Sequence, residues 1–375
     1  MSVPDEMPEP DRIEGAPHPR ETVELFGQDE AAATFLDAFN QGRLHHSWLI
    51  TGPKGVGKAT LAWNIARFLL DSDTDTGMFA APAKDSLQIS PDNPVFRRVA
   101  ALAEPGVFLC RRPWDEKAKR LKKAITVEEV RKLKSFFTLS SSDGGWRIAI
   151  VDAADEMNTS AENALLKVLE EPPAKTIILL ISHQPAKLLP TIRSRCRELR
   201  CTALAPEALD NAMTQAGFSD VPNISALSAL SGGSAGEAID LLANDGLETY
   251  ENIISLLATA PRMNRPRIIM LAEKCAGKGS ENHYDMTVRL LLIALSRLAL
   301  GGARGGMDDT IQGEAELSAR LSANAYQARE WANLVQELTG RITHARAVNL
   351  DPAQVILDTF ISIDATAGRA SLLSA

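Results

Sequence analysis

A glycine-rich loop decides the fold, and it reads Gly52-Pro53-Lys54-Gly55-Val56-Gly57-Lys58. The apolar run Trp48–Ile50 precedes it, and a pattern typical of an amphipathic helix, Lys58–Leu70, follows it. A strand, a glycine loop and a helix in this order are the context of a P-loop, in which backbone N–H groups and a helix N-terminus surround phosphate oxygens. Lys58 is placed to reach the outer phosphates. We therefore predict a nucleotide-phosphate site here; the alternative is a glycine-rich turn without a ligand.

The residue after the P-loop lysine departs from this pattern. A working P-loop has Ser or Thr there, whose hydroxyl holds Mg²⁺, but this chain has Ala59. Thr60 follows, yet one step along a helix turns a side chain by about 100°, so we expect its hydroxyl to point away from the metal. The pattern predicts a damaged magnesium site at which ATP or ADP binds without hydrolysis.

Short apolar runs alternate with helical patterns from Glu21 to about Thr202. The predicted strands are Trp48–Ile50, Val107–Leu109, Ile148–Val151 and Thr176–Ile181. They are apolar throughout, as strands buried on both faces are. Between them we predict helices that open at Thr126 and near Thr159, with Glu129 and Glu162 completing capping boxes. Strands that alternate with helices indicate a parallel, three-layered α/β sheet.

Composition divides the chain into four parts. Residues 1–20 are rich in proline and predict a disordered tail. Residues 21–205 carry the α/β pattern, and residues 206–245 predict a small helical unit. Residues 247–366 are helical throughout, and Asp351-Pro352 is a start signal for the last helix.

A second acidic motif follows the predicted strand Ile148–Val151. Asp152 stands at the strand end, where a carboxylate holds Mg²⁺ through water, and together with the glycine loop, Ala59 and Thr60 it completes the predicted nucleotide-binding set. A hydrolysing enzyme has a glutamate base next, but this chain has Ala153. Loss of a general base lowers a rate by about 10²- to 10⁴-fold. We interpret Asp155 and Glu156 as solvated residues at a helix start, so the pattern predicts no hydrolysis.

Two further motifs resemble those of a known family. Asn163-Ala164-Leu165-Leu166-Lys167-Val168-Leu169-Glu170-Glu171-Pro172-Pro173 resembles the signature of the clamp-loader AAA+ subunits, and Ser194-Arg195-Cys196 resembles their S-R-C motif. The resemblance runs from about Leu25 to Cys201 and continues more weakly beyond. It implies an AAA+ P-loop domain over 21–205, a helical lid over 206–245 and an oligomerising helical collar over 247–366.

The resemblance also implies a role for Arg195, as an arginine finger that reaches the γ-phosphate of ATP held by a neighbouring subunit. A guanidinium suits this role because it is always charged and offers a rigid fork of donors. The alternative is a solvated arginine in a basic run. The rest of that run comprises Arg193, Arg197 and Arg200.

The predicted lid lacks one residue of the family's working ATPases. Their lid helix starts with Gly-Ser, any residue and an arginine that senses the γ-phosphate, whereas here Gly233-Ser234-Ala235 is followed by Gly236. The metal ligand, the base and the sensor are thus all missing, while Arg195 remains. This combination resembles the family's non-motor subunit, which stands at one end of a hetero-pentameric ring.

By resemblance, the partners are the gamma/tau motor subunits and the delta subunit, and through them the sliding clamp and primed DNA of bacterial DNA polymerase III. Two other readings stay open. A motor-type gamma/tau-like ATPase is disfavoured by Ala153 and Gly236. A free-standing nucleic-acid-binding AAA+ protein is disfavoured by the formal net charge of -8, because phosphate neutralisation needs clustered Lys and Arg.

The basic stretch 109–134 runs against that acidic balance, with ten Lys or Arg and four Asp or Glu around Trp114. It predicts either a contact with DNA or an acidic partner, or a solvated loop and helix face.

The cysteines, Cys110, Cys196, Cys201 and Cys275, form no C-x-x-C pair. Many relatives carry a four-cysteine zinc module, but here 71–110 holds only Cys110, so we predict no zinc. Sparse cysteines and an acidic N-terminus without an apolar core indicate a cytoplasmic protein. The apolar run Leu290–Leu295 is too short to span a bilayer.

Overall fold

The computed structural model describes residues 8–13, 15–72, 83–138, 145–277 and 279–372. The strands are β1 Ser47–Thr51, β2 Val107–Cys110, β3 Trp114–Asp115, β4 Arg120–Leu121, β5 Arg147–Asp152, β6 Thr176–Ser182 and β7 Arg197–Arg200. The first helices are α1 Asp29–Asn40, α2 Lys58–Ser72, α3 Pro94–Ala100, α4 Val127–Thr138, α5 Thr159–Glu170, α6 Pro190–Arg193, α7 Pro206–Gln215 and α8 Ile224–Ser231. The remaining helices are α9 Ala235–Ala243, α10 Gly246–Leu257, α11 Arg265–Ala276, α12 Glu281–Arg304, α13 Glu314–Leu321, α14 Ala325–Ala347 and α15 Pro352–Leu372.

The described residues form two compact units. The N-terminal unit contains those up to Pro222 together with Gly232–Ile239, and the C-terminal unit contains Asn223–Ser231 together with those from Asp240 onward.

A five-stranded parallel sheet in the order β2-β5-β6-β1-β7 organises the N-terminal unit. The four predicted strands form its first four positions, so the α/β prediction is confirmed. Strand β7 was missed because Arg197–Arg200 is polar and buries only Leu199. It lies at the sheet edge beside β1, where one flank has no neighbouring strand and the apolar signal is weak.

Helices cover both faces of this sheet. Trp48 and Ile50 of β1 pack with Leu61 and Ile65 of α2 on one face. Leu49, between them, packs in a second cluster on the other face, which includes residues of α4 and α5. Side chains alternate across a strand, so both faces of β1 are buried and the unit has three layers.

Helix α5 begins at Thr159, which confirms the predicted start, but its cap differs from the predicted capping box. Asn158 is the N-cap, and its side chain accepts a hydrogen bond from the Ala161 N–H at 2.9 Å. Glu162 is only 7% exposed, and its Oε1 accepts from the Leu189 N–H at 3.2 Å. The predicted capping-box glutamate therefore holds the chain ahead of α6.

The predicted disordered tail also differs in the structure. Residues 8–13 and 15–20 lie against the N-terminal unit, and His18 is fully buried. Ion pairs hold this segment, among them one between Asp11 and Arg111. The prediction rested on the scarcity of apolar residues, and charge pairing takes the place of apolar burial here; residues 1–7 and 14 lie outside the described ranges.

The C-terminal unit is helical, as predicted. Helix α12 packs against α10 and α14, and α11 packs against α15. Leu295, Trp331 and Phe360 are fully buried. Helix α15 begins at Pro352, and the carboxylate of Asp351 accepts from the Gln354 N–H at 3.3 Å, which confirms the predicted start signal.

Helix α12 is longer than its central apolar run suggested. Its 24 residues include a window of mean hydropathy 1.5, long and apolar enough to cross a membrane by length and composition alone. Within the unit 61% of that window is buried. The helix is therefore accounted for as the core of a bundle.

Candidate functional site

The P-loop has the backbone shape that its glycines predict. Gly52, Gly55 and Gly57 have φ values of 140°, 75° and 103°, which other residues rarely adopt. A Cβ on Gly52 would collide with the Cys201 carbonyl. Gln28 fixes the loop from behind, because its Nε2 donates to the Val56 carbonyl at 2.9 Å. The loop therefore has a concave backbone of the kind that binds phosphate.

Lys58 stands at the start of α2, as the P-loop pattern predicts, but it is only 3% exposed. Its Nζ donates to the carbonyl of Gly52 at 2.8 Å and also to the carbonyl of Pro53. Burial lowers the pKa of Lys58 to about 8, against the opposing influence of Cys201 and Asp152. The amine is thus satisfied by its own loop.

The predicted sensor position lies directly against this loop. The Ser234 hydroxyl donates to the Lys54 carbonyl at 2.8 Å, and the Gly236 N–H donates to the Gly55 carbonyl at 3.1 Å. A Cβ on Gly236 would stand 3.0 Å from Gly55 Cα, closer than ordinary packing. The glycine that replaces an arginine therefore permits a backbone contact with the P-loop.

The residues at the magnesium position do not fit that ion. Ala59 has no hydroxyl. Asp152 lies at the end of β5, and burial, reinforced by the nearby Asp11 carboxylate, raises its pKa to about 7. A carboxyl that keeps its proton near neutral pH is a poor ligand for a hard cation. The P-loop backbone thus fits a phosphate group, but the metal-binding half of the site is not formed.

Asp155 and Glu156 are partly exposed, as the prediction of solvated residues implies, but both also have partners within the chain. The Asp155 Oδ1 accepts from the His183 N–H at 2.9 Å. Glu156 pairs with Arg112 Nε at 2.6 Å. Both carboxylates are thereby engaged in holding neighbouring chain segments.

Two residues at this sheet edge were missed by the sequence interpretation. His183 follows β6, and Arg111 follows β2. Burial lowers the pKa of His183 to about 4, and the charge of Lys58 acts in the same direction, so its ring is neutral at physiological pH. Their position directly after a strand could have identified them, since α/β sheets bind ligands at the carboxyl ends of their parallel strands.

Arg195 lies on the turn between α6 and β7, and its side chain is 37% exposed. Its Nη1 donates to the Thr191 carbonyl at 3.0 Å, and its Nη2 pairs with Glu170 Oε1 at 2.9 Å. The Glu170 side chain is itself 49% exposed. Exposed ion pairs contribute about 0–1 kcal/mol, so this guanidinium can exchange its partner at little cost.

The middle of the basic stretch 109–134 forms a small hairpin of β3 and β4, and its end lies in α4. Lys117, Lys119 and Arg120 are exposed in the hairpin. Its contact with DNA or an acidic partner stays a prediction. Among the described residues no group of three or more His, Cys, Asp or Glu could hold a metal ion.

Comparison with known proteins relates this chain to subunits of DNA polymerase III. A family model described as "DNA polymerase III, delta subunit" matches residues 27–205. The DNA polymerase III subunit delta' of Pseudomonas aeruginosa is 36% identical over 156 residues, which cover 42% of this chain and 43% of that one. The subunit delta' of Bacillus subtilis is 29% identical over 270 residues, 71% of this chain and 75% of that one.

Other relatives and structures are more distant. The DNA polymerase III subunit tau of Salmonella typhimurium is 26% identical over 322 residues, 78% of this chain and 47% of that one. The chain thus spans less than half the length of the tau and Pseudomonas relatives. A gamma subunit-related protein of Thermotoga maritima superposes with a TM-score of 0.38 at 18% identity, over 89% of this chain and 99% of that one. We base no conclusion about the fold on a TM-score this low. By the family match over 27–205 and by the two delta' relatives, the chain is similar to the delta' subunits of DNA polymerase III.

Proposed function

We propose that the chain is the non-catalytic, stator-like subunit of a hetero-pentameric clamp loader that uses ATP to load a sliding clamp onto primed DNA. In this proposal it supplies Arg195 in trans to the ATP site of the adjacent motor subunit. The observation that carries the proposal is the contrast between a metal-binding half-site that is not formed and an arginine that stays exchangeable at the surface.

The state of the chain's own site supports a non-catalytic role. Phosphoryl transfer relies on a metal ion, a positioned base and cations that stabilise the transferring group. Ala59 and Ala153 remove the first two, and Gly236 removes one of the cations. The titration of Asp152 near pH 7 further weakens any metal site.

The surroundings of Arg195 support a role in trans. The short helix α6 and strand β7 position it, while only a backbone carbonyl and the exposed Glu170 hold its guanidinium. Negative charge on the transferring phosphoryl group would compete well with one solvated carboxylate, because three oxygens share that charge.

The relatives support the proposed partners. Gamma and tau relatives are themselves named as DNA polymerase III subunits, and we propose that this chain assembles with such motor subunits and with delta through its helical C-terminal residues. We propose a cytoplasmic location for the assembly, in keeping with its proposed task on primed DNA. The alternative, a motor-type ATPase, requires hydrolysis at a site that lacks a base and a metal ligand.

The test is reconstitution of the ring from purified gamma or tau, delta and this chain. Rings with Arg195→Ala should assemble normally and hydrolyse ATP more slowly, because one arginine finger contributes roughly 10³- to 10⁵-fold at its own site. The fall per ring is smaller, since the other sites keep their fingers.

Arg193→Ala is the matched control. Arg193 is exposed and lies two residues away in the same basic run, so its loss removes the same charge from the same surface. Equal hydrolysis and clamp loading by the Arg195→Ala and Arg193→Ala rings would reduce Arg195 to a solvated cation and overturn the proposal.

A further inference from the structure

We propose that the N-terminal segment Glu9–Ile13 is a strap that lies across the nucleotide site of its own chain. The strap competes with a nucleoside triphosphate for the edge of the sheet at which the P-loop lies. Nucleotide would then bind only when the strap is released. The inference concerns intramolecular contacts and does not rest on the proposed role of Arg195.

An ion-pair network anchors the strap. Arg111, directly after β2, pairs with Asp11 Oδ1 at 2.5 Å and with Glu9 Oε1 at 2.8 Å. Arg20 pairs with Glu9 at 2.9 Å, and His18 Nε2 lies 3.1 Å from Asp11 Oδ2. Forked guanidinium contacts with two carboxylates are among the stronger polar interactions in proteins.

The anchor is buried as well as charged. The Asp11 side chain is 6% exposed and His18 is fully buried. Burial alone would raise the pKa of Asp11, but the close approach of the His18 ring and the charge of Arg111 outweigh it and lower that pKa. The carboxylate is therefore held in its charged form, as a strap with an anionic centre requires.

The strap crosses the edge where phosphates would bind. Asp11 lies close enough to Asp152 to raise the pKa of that carboxyl, second only to the effect of burial. Ile13 Cδ1 would lie 2.8 Å from a Cβ on Gly236, and the same Cβ would lie 3.0 Å from Gly55 Cα. The segment thus runs from the end of β2, past the end of β5, to the junction of the P-loop with Gly236.

The negative charges of the strap and of a bound nucleotide disfavour their presence at the site at the same time. A triphosphate at Gly55 and Lys58 would bring several negative charges to the buried edge at which Asp11 lies near Asp152. Like charges in such a setting repel strongly. Binding of nucleotide therefore requires that Asp11 leave, and the apparent affinity falls by the fraction of chains in which it has left.

The experiment measures binding of a fluorescent ATP analogue to the full chain, without metal and with Mg²⁺. The double variant Glu9→Gln with Asp11→Asn removes the anchoring charges and should bind the analogue at least about tenfold more tightly than the wild type. Asp37→Asn, on the exposed side of α1, is the control and should bind like the wild type. Adding Lys58→Ala to the double variant should abolish the gain, which locates the nucleotide in the P-loop.

A second measurement protects the test against a misfolded variant. A chain that lacks residues 1–13 should bind the analogue tightly, and a synthetic peptide of residues 1–13 should displace it. Unchanged affinity in both the double variant and the shortened chain, or a gain that survives Lys58→Ala, would overturn the proposal. Failure of the peptide to compete would overturn it equally.

Discussion

The P-loop edge and the Arg195 turn lie in the same unit, yet they hold their cations in opposite ways. Lys58 is 3% exposed and donates to two carbonyls of its own loop. Arg195 has a 37% exposed side chain that is held by one carbonyl and one surface carboxylate. Redirecting a buried, satisfied cation leaves unpaired groups at about 1–3 kcal/mol each, whereas an exposed ion pair exchanges at about 0–1 kcal/mol. The difference is what we expect if, as proposed, the chain's own P-loop is inactive and Arg195 serves a neighbouring site.

The largest effect is expected from a variant that keeps the positive charge at position 195 but removes the planar guanidinium. Arg195→Lys should recover little of the activity lost in Arg195→Ala, a loss of roughly 10³- to 10⁵-fold at the neighbouring site, because lysine lacks the planar fork. Hydrolysis per ring should be measured with the other motor sites disabled by P-loop lysine substitutions. Full activity with lysine would show that only a positive charge is needed.

The burial of Asp152 beside the P-loop predicts that the stability of the chain depends on pH. The pKa of Asp152 is about 7 in the folded chain and about 3.9 when unfolded. The folded chain therefore keeps a proton that the unfolded chain releases, and stability is lost as pH rises from about 4 to about 7. Asp152→Asn should remove that loss and gain about 1–3 kcal/mol over the wild type between pH 4.5 and pH 8.

Urea denaturation of both proteins at each pH measures this difference, in which the contributions of other titrating groups cancel. Asp37→Asn, at an exposed aspartate on α1, is the control for the substitution itself. A flat difference for Asp152→Asn would mean that Asp152 ionises normally and that the metal position is less impaired than argued.

The contact between Gly236 and the P-loop predicts a cost for the smallest added side chain. Gly236→Ala places a Cβ 3.0 Å from Gly55 Cα and 2.8 Å from Ile13 Cδ1, so we expect a loss of about 1–2 kcal/mol. Gly340→Ala, in α14 with nothing within 4 Å, should instead gain about 0.5–1 kcal/mol. Urea midpoints compare the two, and a stabilising Gly236→Ala would argue against the close contact.

The smallest expected effect concerns the partner of Arg195 within the chain. Glu170→Ala removes a surface ion pair and should change the free energy of unfolding by less than about 1 kcal/mol. Ring hydrolysis should persist, because in the account Glu170 only holds the guanidinium until a phosphate replaces it. A loss as large as that of Arg195→Ala would make Glu170 part of the active interface.

The sequence predicted the parts of the fold that depend on local pattern. The strands β1, β2, β5 and β6 were found because their apolar runs are buried on both faces. The P-loop was found because its glycines lie within a few residues of one another, between a strand and a helix. The strap was missed, since Asp11 and Arg111 lie far apart in the sequence and the acidic, proline-rich segment resembles a disordered tail. Pairing of that kind follows from the three-dimensional position of the end of β2, which no local pattern encodes.

We propose above all that this chain serves a neighbour's ATP site and leaves its own unused. The direct test measures ATP hydrolysis side by side in rings that carry Lys58→Ala and rings that carry Arg195→Ala, with assembly of both checked by gel filtration. We expect Lys58→Ala rings to hydrolyse ATP like the wild type and Arg195→Ala rings to be slower. A loss with Lys58→Ala and none with Arg195→Ala would contradict it.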